Sequence, residues 1–291
     1  MEKRTLMRKR LCLLLIVVSS FAVAQQSSLT FLRADPAIVQ QRLTPVPSTQ
    51  SDRVAKLRKQ CLAAKVYGPV EVEEQLVPGQ MEPNLICTLQ GSGDSSIIVA
   101  VNTAYKGGGD EARVNWATLE TVPLLLESVA GFASRHTLVF IAFSGESGKY
   151  SGATFYLDQL SKDQRRKIDA VIELDHIGRT APAYAPQSNA YVLGRRLRLA
   201  SFTLQFEIPQ IFFYPNGSVL GSGPIADAFE KAKIPAITIY SRDHSEMPQN
   251  AIHGISPEIH EFDINLKSYY DTYVLLCAYL RQIDQDWSLR R

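Results

Sequence analysis

The sequence predicts an α/β protein: a three-layer α/β/α sandwich around a mixed, mostly parallel central sheet. Apolar runs without polar alternation recur at 85–89, 97–101, 137–143, 170–174 and 236–240, the pattern of strands buried on both faces. Segments with helical spacing lie between or after them, at 116–130, 152–160, 225–233 and 266–283, and strands joined through helices imply parallel crossovers. Further strands are expected at 190–193 and 211–214, and the period-two stretch 70–77 reads as a half-exposed edge strand. There are no internal repeats and no long low-complexity tract.

Taken in order, the chain opens with Lys3, Arg4, Arg8, Lys9 and Arg10, then an apolar run from Leu11 to Val18, then Ala22-Val23-Ala24. A basic start, a short apolar core and small residues are the marks of a secretory leader, so residues 1–24 are expected to be removed and the mature chain to begin at Gln25, periplasmic or secreted. Residues 25–50 are rich in Gln, Ser, Thr and Pro and read as a flexible arm with one short helical candidate at Asp35-Pro36. A single α/β domain is expected over 51–291. Ser51 can cap its first helix, in which Val54, Leu57, Cys61 and Leu62 recur at helical spacing.

Charge excludes several partners. The whole chain carries 31 Lys and Arg against 29 Asp and Glu; the leader takes five of the first and one of the second, leaving 26 against 28, a net of −2. No basic run with interleaved aromatics remains, so neither nucleic acid nor, after leader cleavage, a membrane is expected as a partner. Three cysteines follow the leader: Cys61, Cys87 and Cys277. Either Cys61 pairs with Cys87, or all three are buried thiols.

In open α/β sheets ligands sit outside the carboxyl ends of the strands. Polar and acidic residues collect in those exits here, at 102–116, 144–152, 175–180 and 241–260. Their order and spacing carry a resemblance. Val101-Asn102-Thr103-Ala104 and Val114-Asn115-Trp116-Ala117-Thr118 lie under A-H-Y-D and D-N-W-S-G patterns. The stretch from Phe143 through Gly145-Glu146-Ser147-Gly148 to Gly152-Ala153 lies under F-x-G-E-E-x-G-x-x-G-S. Leu174-Asp175-His176-Ile177-Gly178 lies under L-D-x-x-G, and 253–258 under a late H-x-P-x-D-T-like turn. Ile234-Pro235-Ala236-Ile237, preceded by Phe229-Glu230-Lys231, is another such element. From Cys61 to Asp284 the chain resembles the di-zinc exopeptidases of metallopeptidase family twenty-eight, which includes bacterial aminopeptidases and is related to glutaminyl cyclases.

The resemblance implies a zinc cofactor. Two close zinc ions need a His, a bridging Asp, a later Asp, a Glu and a late His, with a neighbouring Glu as general base for the metal-bound water. On this chain the first His falls on Asn102, the bridging Asp on Val114 and the ligand Glu on Ser147, while the Asp that should orient the first His falls on Ala104. Asp175 and His253 match as ligands, and Glu146 stands at the general-base position. Each metal thus loses two of three protein ligands, a loss that weakens binding by roughly four powers of ten, so a di-zinc centre is not expected. Asp243, His244 and His260 are candidate substitute ligands.

Three readings of function stay open on the sequence. The first is a non-catalytic binding protein that keeps the peptidase cleft for a peptide or small-molecule ligand. The second is a metalloexopeptidase with one rearranged zinc held by Asp175, His253, His244 and Glu146. The third is a serine hydrolase using Ser147, Asp175 and His253, against which Lys149 stands where the nucleophile elbow wants glycine.

Overall fold

The structure, a computed structural model, describes residues 31–64, 68–104, 110–129, 131–145, 152–186, 189–206, 210–211, 223–241 and 264–285. Eight strands are described among them: β1 (Val70–Gln75), β2 (Asn84–Leu89), β3 (Ser96–Asn102), β4 (Thr137–Phe143), β5 (Ile168–Asp175), β6 (Ala183–Pro186), β7 (Gln210–Ile211) and β8 (Ala236–Tyr240). They form one mixed sheet in the order β1-β2-β4-β3-β5-β8-β6-β7. The pairings β4-β3, β3-β5, β5-β8 and β6-β7 are parallel, and β1-β2, β2-β4 and β6-β8 are antiparallel.

The apolar runs follow from burial on both faces. Ile98 and Ala100 of β3, Ile141 and Phe143 of β4 and Val171 of β5 face one helical layer, packing with α4 (Gly152–Gln159) and α7 (Pro224–Lys231) through Ala153, Leu157, Ile225 and Phe229. The alternate residues Ile97, Val99, Val101, Phe140 and Ile172 are equally buried, and the 20-residue helix α3 (Asp110–Val129) packs on β3, β4 and β5. In its layer α3 also meets α1 (Pro36–Leu43), α2 (Gln50–Ala63) and α8 (Leu266–Asp284), and α8 packs on α6 (Tyr191–Thr203). The short α5 (Lys162–Arg166) leads into β5. No helix among the described residues is long and apolar enough to cross a membrane.

Several expectations need correction. Instead of a flexible arm, residues 31–50 fold onto the body. Asp35 caps α1 by accepting from Ala37 N, Val39 and Leu43 are buried, and Tyr273 Oη and Tyr270 Oη bond the backbone of Ala34. Arg42 reaches both carboxylate oxygens of Glu127 at 2.7 and 2.8 Å. The cap of α2 is Thr49, not Ser51, because the Thr49 hydroxyl both accepts from Asp52 N and donates to the Asp52 carboxylate. The strand expected at 190–193 is the start of α6, whose Leu193, Leu197 and Ala200 recur at helical spacing and are buried. The unforeseen β6 supplies that side of the sheet, with Tyr184 opposite Ile239 of β8. Of the strand expected at 211–214, only Ile211 is in a described strand, and 212–214 lie outside the described residues.

At the amino ends of the parallel strands a buried ionic knot ties α8 down. His136 is 1% exposed; its Nε2 faces Asp169 at 3.1 Å and its Nδ1 faces the Asp284 carboxylate at 3.2 Å. Asp284 also accepts from Ser134 Oγ, Arg135 N and His136 N, and Arg281 Nη1 lies 3.3 Å from its second oxygen.

Candidate functional site

The parallel strands deliver their carboxyl ends to one edge. Asn102 ends β3 opposite Phe143 of β4, and Asp175 ends β5 opposite Tyr240 of β8. From β3 the chain runs through α3 to β4 on one side, whereas from β5 it continues to β6 and β8 on the other. The strand order therefore reverses between β3 and β5, and a crevice is expected there. Asn102 and Asp175 stand at its two lips.

Each lip is braced. At the β3 exit, Asn102 Oδ1 accepts from Ala104 N at 2.8 Å, closing a turn over its own backbone, so that oxygen is already engaged. The Asn102 carbonyl accepts from Asn115 Nδ2, and Asn115 Oδ1 accepts from Arg53 Nη1 at 3.1 Å. Arg53 is 5% exposed, so α2 brings a buried cation one side chain away from the β3 lip. Gln50 of the same helix donates to Thr103 Oγ1, which itself donates to the Phe143 carbonyl. Val114, one turn into α3, has no exposed surface. The Val114 carbonyl accepts from Thr118 Oγ1, and that hydroxyl accepts from Ile177 N at 2.9 Å, which fixes this part of α3 beside the β5 lip.

At the β4 exit, the buried Asn84 accepts from Ser144 N and donates to the Gly152 carbonyl, clamping the end of β4 to the start of α4. A Cβ at Gly152 would lie 2.1 Å from Asn84 Oδ1, so only glycine fits. Gly145 has φ +76°, which favours glycine as well. Glu146 and Ser147, between the clamped ends, lie outside the described residues, as do Asp243, His244, His253 and His260.

At the β5 lip, His176 has φ +50° and sets its Nδ1 at 2.5 Å from Asp175 Oδ1; both side chains are partly exposed. Gly178, at φ +106°, donates to Ser241 Oγ and accepts from Asn265 N, joining the exits of β5 and β8 to the start of α8. Two residues before Asp175, Glu173 of β5 is buried. It accepts from Ile225 N, Ala226 N and Thr238 Oγ1, capping α7 from a distant strand. Burial pushes its carboxyl up to about 8, the amide of Ala226 pulls against that, and the charge of Asp175 adds to the rise.

Of the sequence-predicted site residues, Asn102, Val114 and Asp175 are thus gathered at the switch between β3 and β5. As metal donors the described lips offer one carboxylate, Asp175, and one imidazole, His176; no group of three or more His, Cys, Asp or Glu poised for a metal occurs among the described residues. Arg53, Glu173 and His176 were not foreseen as parts of the site. Glu173 had a signal, an acid inside the otherwise apolar run 170–174.

The family model described as "Peptidase family M28" matches residues 84–270. The chain belongs to that family. Solved structures similar to this family member include the LapA aminopeptidase of Legionella pneumophila, with a TM-score of 0.61 and 13% identity over 87% of this chain and 72% of that one. A glutaminyl cyclase of an Acidobacteriales bacterium aligns with a TM-score of 0.59 and 17% identity over 86% of this chain and 93% of that one. The zinc aminopeptidase BSAP of Bacillus subtilis aligns with a TM-score of 0.56 and 16% identity over 68% of this chain, which spans only 49% of that enzyme's length. At these identities the likeness shows the shared fold. No curated protein matches the chain by sequence.

Proposed function

We propose that this family member binds a peptide or small-molecule ligand in the crevice between β3 and β5 without assembling the two-zinc centre implied by its family resemblance. The observation that carries the proposal is Val114, at the position of the bridging carboxylate and with no exposed surface. A valine there sets buried apolar surface where two cations would need a shared anion. Asn102 deepens the misfit, since its amide oxygen is held by Ala104 N and its backbone by the Arg53-Asn115 pair. The described donors therefore do not fit a di-zinc centre, and no catalytic step is derived through one.

The test compares zinc stoichiometry and hydrolysis of aminoacyl and dipeptide substrates for the wild type and the variant Asn102→His/Val114→Asp/Ser147→Glu. Wild-type protein is expected to hold less than one zinc and to turn over poorly. The variant should gain zinc more than it gains turnover, because Ala104 leaves the new His without an orienting carboxylate. Two tightly held zinc ions with rapid wild-type turnover would sink the proposal. The partly exposed Asp175-His176 pair favours a second reading, a one-zinc exopeptidase, which stoichiometric zinc and turnover in the wild type would select.

We further infer export, with the mature chain starting at Gln25. The basic start, apolar run and Ala22-Val23-Ala24 support it. Intact-mass measurement of exported protein that still carries residues 1–24 would reject it.

A further inference from the structure

Helix α2 buries Val54, Leu57 and Cys61, which recur along one face. That face packs on β1 and β2, and Cys87 lies near the centre of β2, opposite Val72 of β1. Cys61 and Cys87 are 0% and 1% exposed, so both thiols sit in the seam where α2 packs on β1 and β2. Two cysteines buried in one helix–strand seam are candidates to bond where their Cα atoms come within about 7 Å. Cys277 is placed differently: it lies in α8 with Ser128 and Tyr273 as its hydrogen-bonding neighbours.

We propose that Cys61 and Cys87 form a redox-closable dithiol that staples α2 to the central sheet, leaving Cys277 a thiol. The consequence reaches the crevice, because the other end of α2 carries Gln50 and Arg53, which brace the β3 lip through Thr103 and Asn115.

The oxidant is a small-molecule disulfide such as oxidised glutathione. A thiolate from one cysteine attacks the oxidant's disulfide, forming a mixed disulfide and expelling one glutathione thiolate. The second protein thiolate attacks the protein sulfur of that mixed disulfide and expels the other. Two protein thiols are oxidised, one glutathione disulfide is reduced, and the two protons leave with the two glutathione thiols. In the docked state both sulfurs are shielded, and the Cys61 neighbour and burial together hold the Cys87 thiol well above the usual range. Closure therefore takes place during folding or when α2 opens locally, and once made it holds the docked helix.

The experiment refolds the full chain in oxidised and reduced glutathione, blocks free thiols, and maps cysteine peptides without reduction. The expected result is a Cys61 peptide joined to a Cys87 peptide, with Cys277 blocked as a thiol. Closing a loop of ~27 residues should raise the melting temperature by roughly 10 °C relative to the reduced protein. Cys277→Ala should keep that reduction-dependent shift, and Cys87→Ser should abolish it. Blocked thiols at both Cys61 and Cys87, a bridge that includes Cys277, or a melting temperature indifferent to reduction would each overturn the proposal.

Discussion

His136 should make stability depend on pH in a way that one substitution removes. Burial pulls its imidazole down, but the hydrogen bonds and charges of Asp169 and Asp284 outweigh that and push it up to about 9 from an ordinary 6.5. A cation whose pKa rises on folding contributes fully below its unfolded value, and the contribution fades as pH rises through the folded value. At 1.36 kcal/mol per unit, the shift corresponds to about 3 kcal/mol at pH 6, about 1.4 kcal/mol at pH 8 and almost nothing at pH 10. His136→Gln keeps a polar group but carries no charge, so its stability deficit should shrink by about 3 kcal/mol between pH 6 and pH 10. Urea unfolding of both proteins at pH 6, 8 and 10 and constant ionic strength measures it. Glu173 and Glu120, pushed up to about 8 and about 7, titrate in the same range and destabilise both proteins alike, so only the difference between the two curves counts. Curves that fall in parallel would refute the role given to His136.

Two further perturbations probe the buried carboxylate of β5 and the clamp at the β4 exit. Glu173→Ala leaves Ile225 N, Ala226 N and the Thr238 hydroxyl without their acceptor and should cost about 2–4 kcal/mol at pH 6. Glu173→Gln, which keeps one acceptor, should lose less and flatten the fall in stability between pH 5 and 8; chemical denaturation checks both. Gly152→Ala drives a methyl into Asn84 Oδ1 and the Ser144 backbone and should destabilise by about 1–3 kcal/mol, visible as a lower thermal midpoint.

The parts of the fold legible from sequence are those whose physics is local. β3, β4, β5 and β8 announce themselves because strands covered on both faces have no polar alternation, and the stretch 266–283 matches α8 to within a residue. β6 gives no such signal: Ala-Tyr-Ala-Pro has weak strand preference, and its place is set by pairing with β8. The start of α6 misleads because Tyr191-Val192-Leu193 is locally strand-like, whereas its helical period emerges only with Leu197 and Ala200. The same division holds at the site. Asn102, Val114 and Asp175 can be found from their positions at strand exits, but Arg53 meets Asn115 across 62 residues and no local pattern records that. The docking of residues 31–50 was hidden likewise, since polar composition says nothing about the burial of Val39 and Leu43.

Among the described strands the sheet order leaves β1 at one margin. Among the described residues β1 is unpaired along one side, where Glu71, Glu73 and Glu74 are exposed and Arg58 lies 2.9 Å from Glu74. A second copy that tried to extend the sheet by lying against β1 would bring its own three carboxylates toward these, and like charges facing each other across a ladder oppose pairing. The acidic margin thus discourages runaway strand-to-strand growth between copies, a hazard of any sheet left open at an edge.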